Sequence, residues 1–182
     1  MTPLRIAVAL ILMIASTSPL AGNSAAQMLA AHPVWISEDL KWEQDPGDKE
    51  QCWAAGGALY FGEHGEFGRF SGVLIKRGTR LDFSGGEGEI VYAGTWNVKA
   101  EIVQIDYRLV GMYKVVRPAG DKAPEIPGPV EHAQIRLDSK SPRHLEFDLE
   151  RYEATSHLKA SELKQRLQVY ASTDSSKRTT PN

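Results

Sequence analysis

The sequence predicts a mainly β fold: an antiparallel meander forming a small barrel or two-layer sandwich, with one amphipathic helix near the C-terminus. Three observations carry this. No proline occurs between Gly47 and Arg117, and most of the 16 glycines of the chain fall between Gly56 and Gly94. Proline cannot donate to a strand ladder, so central strands exclude it, while glycines mark the turns between them. Next, two runs flanking Lys99-Ala100-Glu101 alternate with opposite parity. Ile90, Tyr92, Trp96 and Val98 fall on even positions, whereas Val103, Ile105, Tyr107 and Leu109 fall on odd ones. Each run therefore has one apolar face, and so short a connection makes them a hairpin. Finally, Ala160, Leu163, Leu167 and Tyr170 recur at helical spacing.

The elements follow in chain order. Met1–Arg5 carries one positive charge, Ile6–Ala15 is wholly apolar, and Ser16–Ala26 turns small and polar. That order is the signature of a secretory signal peptide, expected over residues 1–26 with cleavage near Ala26. Ten apolar residues are too few to span a bilayer, which takes about 20. A single mainly-β domain is expected over 27–171, and its length suffices for a core without staples. Ser37–Glu43 reads as a short helix capped by Ser37. Leu59–Phe61 and Glu66–Phe70 are strands around the turn Gly62–Gly65. Val73–Lys76 and Thr79–Phe83 are strands around Arg77-Gly78, and Ser84–Gly88 leads into the strand Glu89–Val98.

After the hairpin, residues 117–129 hold four prolines and form a loop or covering strap inside the domain. Val130–Asp138 and His144–Glu150 are two further alternating strands. The second places Leu145, Phe147 and Leu149 on one face and Glu146, Asp148 and Glu150 on the other. Ser156–Tyr170 contains the helix, with Glu162 and Arg166 paired at i,i+4. A strand over Leu163–Ala171 is the alternative, because short apolar patterns fit both periods. Residues 172–182, STDSSKRTTPN, hold no apolar residue and are expected to be a disordered tail.

Charge and motifs narrow the function classes. The formal charge is −2, and loss of residues 1–26 removes Arg5 and no acid. That balance argues against nucleic acid as a partner. One cysteine, Cys52, excludes an intrachain disulfide framework; burial beside Trp53 is the expected state, with pairing to another chain as the alternative. The histidines His32, His64, His132, His144 and His157 show no metal-ligand spacing, so no metal and no cofactor are expected. Gly68–Gly72 places its serine one position late for a nucleophile elbow. Glu87 and Glu89, like Glu146, Asp148 and Glu150, read as solvated outer-face acids that protect sheet edges. No catalytic residue is assigned.

The aromatic residues are more suggestive. They crowd the stretch from Trp35 to Tyr113 and mostly fill a core. If the sheet closes around a cavity, Tyr92, Trp96 and Tyr107 are the candidate ligand-binding residues. Trp96 itself is expected to be buried, with Gly94 leaving room beside its ring and its indole N–H bonded. Phe61–Phe67, Gly86-Glu87-Gly88 and Gly94–Val98 together resemble the lipocalin-like β-meander units of small bacterial exported proteins. The resemblance covers about Trp53 to Val116. It implies a turn glycine joining two strands and a G-T-W strand packing an aromatic into the sheet. In lipocalins the G-x-W strand opens the barrel, whereas here it follows several strands, so no binding residues are carried over. The expected function is an exported, periplasmic or secreted, non-catalytic binding or interaction protein of the cell envelope. Its partner would be a protein or a small apolar ligand, and the mature chain holds no transmembrane segment. The alternatives are a lipocalin-like carrier of a small apolar molecule and, third, a small hydrolase.

Overall fold

The computed structural model describes residues 25–115, 124–137 and 141–172. Residues 1–24 of the expected signal peptide 1–26, residues 117–123 of the Pro-rich segment and the tail beyond Ser172 lie outside them. The described residues form eleven elements. A first helix, α1 (Ala25–Ala31), precedes β1 (Val34–Ser37), β2 (Glu43–Gln44), β3 (Gln51–Phe61), β4 (Glu66–Arg77), β5 (Arg80–Lys99) and β6 (Ile102–Tyr113). Then follow β7 (Glu131–Arg136), β8 (His144–Phe147), β9 (Glu150–Ala154) and α2 (Ala160–Ser172). The strands make one antiparallel sheet in the order β7-β6-β5-β4-β3-β1-β9-β8, with β2 beside β3. Its ends, β7 and β8, come back into contact, so the sheet curls into a nearly closed barrel.

Alternation divides the apolar residues between the two faces of the curled sheet. The inner set joins Trp35, Leu59, Phe61, Phe67, Ile105, Tyr107, Ile135, Phe147 and Tyr152, and α1 adds Leu29. The outer set, Val34, Tyr60, Phe70, Leu74, Phe83 and Val91, lies under Leu163, Leu167 and Tyr170 of α2. The C-terminal amphipathic segment is thus a helix, and it covers one outer face of the barrel. Among the described residues no helix is long and apolar enough to cross a membrane.

Several expected elements differ. Ser37–Glu43 is not a helix: Ser37 ends β1, and its hydroxyl accepts from Gly57 N–H at 2.9 Å and donates to Gly57 carbonyl at 3.3 Å. The side chain that would cap a helix is engaged on β3 instead. Glu66–Phe70 and Val73–Lys76 are one strand, β4. Likewise Thr79–Phe83 and Glu89–Val98 merge into the 20-residue β5. The register jumps from Ser71↔Ile90 to Val73↔Gly85, so the glycine-rich segment is a bulge inside the strand. Gly86 and Gly88 adopt φ of 71° and 87° there, a region open to glycine.

The run His144–Glu150 also breaks. Phe147 pairs with Glu150 across a two-residue turn at Asp148-Leu149, with φ of 53° and 65°. Leu149 consequently projects into solvent rather than joining Leu145 and Phe147. Ala100-Glu101 makes the same kind of turn between β5 and β6, at φ of 50° and 63°. Such turns match the twist of their strands but usually advertise themselves with asparagine or glycine. Glu162 and Arg166 do not pair with each other. Glu162 accepts from the Phe83 N–H at 2.9 Å, and Arg166 donates to Glu89 at 2.8 Å and to the Phe83 carbonyl at 2.9 Å. Glu89 is therefore no solvated acid: it is 3% exposed, held by Arg166 and by the Tyr170 hydroxyl at 3.0 Å.

Candidate functional site

The barrel interior holds the three aromatic residues singled out from the sequence. Tyr92 and Tyr107 are neighbours on β5 and β6, with ring centroids 5.7 Å apart. Tyr107 also packs on Phe67 and Phe147 at 5.8 and 5.6 Å, and Trp96 meets the edge of Phe61 at 5.9 Å. Offset and edge contacts at these distances are the packing of an aromatic core. Burial, with Glu131 alongside, pushes the Tyr107 phenol up to about 12. Trp96 is half-buried rather than fully buried, and its indole N–H donates to the Gly62 carbonyl at 3.0 Å, pinning the β3–β4 turn.

A charged side chain shares this interior. Arg69 on β4 points inward between the Tyr92 and Phe147 rings, 5.6 and 5.4 Å from their centroids. Its Nη1 donates to Asp148 at 2.6 Å. Desolvation works against the guanidinium charge, yet Tyr152, Asp148 and Glu150 outweigh it and hold the pKa above the ordinary arginine value. The Tyr152 hydroxyl in turn donates to Glu150, and burial raises its pKa strongly. Arg69 thus closes one end of the aromatic interior with a paired charge. The alternation that finds Tyr92 also places Arg69 inside, because they are register partners.

A cleft opens on the outer face, away from these rings. It measures about 410 Å³, within the roughly 300–1,000 Å³ span of small-molecule sites. Ile36, Leu40, Trp42 and Leu81 supply its apolar wall, and Lys76, Arg143, Glu38, Glu153 and the polar His157 its rim. Local structure explains the assembly. The chain leaves β1 at Ser37 and runs past β3 to β2, which carries Leu40 and Trp42 over the sheet. The tight β4–β5 turn, at Gly78-Thr79 with Gly78 at φ 58°, brings Lys76 and Leu81 together as register partners. The Leu81 N–H donates to the His157 carbonyl at 3.0 Å, and the Thr155 N–H to the Val34 carbonyl at 2.9 Å, tying the segment after β9 to the cleft.

The rim charges are unequally satisfied. Glu38 accepts from His144 Nδ1 at 2.7 Å and lies 3.3 Å from Arg151, so it is neutralised outside the cleft. Arg143 donates to the Ala154 carbonyl at 3.0 Å and lies 3.9 Å from Glu153. The Lys76 ammonium stands 5.7 Å from the Trp42 ring centre and has no ion pair among the described residues. Sequence reasoning reached none of these residues as a group. They come from four separate stretches, and the one signal along the sequence is the aromatic Trp42, which lies inside the segment 37–43 read there as a short helix.

Cys52 is half-buried on β3 and unpaired among the described residues, and His64 is exposed in the β3–β4 turn. Among the described residues no three His, Cys, Asp or Glu side chains converge as a metal site requires. Gly68–Gly72 runs within β4, without the strand-to-helix turn of a nucleophile elbow. Compared with known proteins, the chain matches no family model, no curated protein and no solved structure.

Proposed function

We propose that the protein is an exported, non-catalytic binding protein of the cell envelope that takes a small ligand in the cleft between Trp42 and the β4–β5 turn. The observation that carries this reading is the contrast between the two candidate places. Tyr92, Trp96 and Tyr107 are engaged with one another's neighbours in ring contacts, whereas Trp42, Leu40 and Leu81 border open space. Small-molecule sites combine concave apolar surface with placed polar groups, and this cleft sets an apolar wall against a polar rim. The serine in the cleft, Ser37, has its hydroxyl engaged on Gly57, which favours binding over hydrolysis. Export rests on the order of charge, apolar core and small residues in Met1–Ala26.

The test is a fluorescence titration with a neutral environment-sensitive dye, Nile red, on wild type, Trp42→Ala and Tyr92→Phe. Binding that is lost in Trp42→Ala and kept in Tyr92→Phe is the expected result. Saturable binding indifferent to Trp42, or absent from wild type, would overturn the cleft.

A further inference from the structure

We infer that the cleft selects an anionic amphiphile: a short apolar body carrying one carboxylate. This rests on the reading of the cleft as a ligand site and adds the charge of the ligand. Its apolar wall, Leu40, Trp42 and Leu81, accounts for the body. The rim decides the head group. Glu38 faces the cleft but is already bound by His144 and Arg151, and Glu153 has Arg143 within 3.9 Å. Neither acid is left seeking a cation. Lys76 is left without an anion among the described residues, and it is held over the Trp42 ring, at the edge of the apolar wall.

An ammonium in that position is set where the head group of an amphiphile lying along Trp42 must end. Arg143, the other strong cation of the rim, is already engaged, which leaves Lys76 as the cation open to a head group. The Arg143 guanidinium is spent on the Ala154 carbonyl and on Glu153. A carboxylate arriving at Lys76 gains a charge-assisted hydrogen bond without displacing an existing ion pair. A cationic head would instead meet Lys76 at close range with no free acid to offset it. Complementary charge at a rim chiefly sets selectivity among ligands that share the apolar body.

The experiment compares three probes with one chain length, decanoate, decanol and decyltrimethylammonium, each below its micelle concentration. Binding is followed by isothermal calorimetry on wild type, Trp42→Ala, Lys76→Gln and Lys76→Glu. Lys76 is exposed at the end of β4, so its two variants fold, which circular dichroism checks. The expected order is decanoate over decanol over decyltrimethylammonium. Lys76→Glu weakens decanoate by about tenfold, the sum of one lost attraction and one new repulsion, and leaves decanol unchanged. Equal binding of all three probes, with Trp42 still required, overturns the anionic head while leaving the cleft as a ligand site. Binding of none of them overturns the cleft and the inference together. A decanoate affinity indifferent to both Lys76 variants removes the lysine from the site.

Discussion

Gly94 and Trp96 show how one residue can be placed correctly for the wrong reason. Gly94 was expected to make room for the Trp96 ring. A Cβ at Gly94 would instead collide with the Asp106 carbonyl and the Tyr107 backbone, so the glycine is needed for the close approach of β6. Trp96 stabilises differently, through the edge of Phe61 and the bond to Gly62. Half-burial lowers the cost of truncation below the 3–5 kcal/mol of a core tryptophan, and Trp96→Ala should lose about 2 kcal/mol in a denaturant melt. An unchanged midpoint would remove Trp96 from the fold's support. Tyr107 makes a pH prediction. An unfolded tyrosine ionises near 10, and the folded one only near about 12. Above pH 10 the unfolded chain releases a proton that the folded chain retains, so the stability present below pH 10 is lost as pH rises toward 12. Tyr107→Phe should flatten that alkaline loss, measured as the denaturant midpoint against pH, with Tyr152 keeping part of it. An identical slope in the variant would contradict the assignment.

Whole elements were legible where one face is apolar and obscure where the backbone changes direction. The β5–β6 hairpin, β7 and α2 all follow from period: Ile105, Ile135 and Leu163 are each fully or almost fully buried. The turns at Ala100-Glu101 and Asp148-Leu149 lack the usual residues, so the second was hidden inside an alternating run. β1 and β9 are too short to show a period, and the β5 bulge reads locally as a loop. What no pattern along one element could disclose is how α2 is fastened. Arg166 lies 77 residues from Glu89, yet it reaches that buried acid between helix and sheet with its own side chain partly exposed, and Tyr170 completes the contact. Gly111 is open for the same reason, since a Cβ there would strike the Tyr170 ring. Breaking a fully buried ion pair from one side costs about 3–5 kcal/mol, and removing Arg166 from the buried Glu89, which keeps its Tyr170 bond, costs at the low end of that. Arg166→Met should therefore destabilise by about 3 kcal/mol, and the double variant Arg166→Met/Glu89→Gln should recover much of that. Additive losses in the double variant would show that the pair does not fasten α2.

At the scale of the molecule, the curled antiparallel sheet divides aromatic surface into an interior and an exterior. The sequence pattern identified the aromatic residues, but parity alone cannot say whether two facing rings touch or leave a hollow. That depends on curvature and on what enters from elsewhere. Here Phe147 from β8 and Arg69 from β4 join Tyr92 and Tyr107, and α1 covers the interior with Leu29. The candidate cleft lay beyond sequence reasoning because its parts come from β1, the segment before β2, the β4–β5 turn and the end of β9. Only the fold brings them together. We propose that recognition occurs on this outer wall and not inside the barrel, and the most direct test is amide chemical-shift mapping by ¹H–¹⁵N NMR during a decanoate titration. Shifts concentrated in Ile36–Trp42, Lys76–Leu81 and Ala154–His157 are the predicted result. Shifts centred on Tyr92, Trp96 and Tyr107, with those three segments unmoved, would contradict it and return the ligand to the barrel interior.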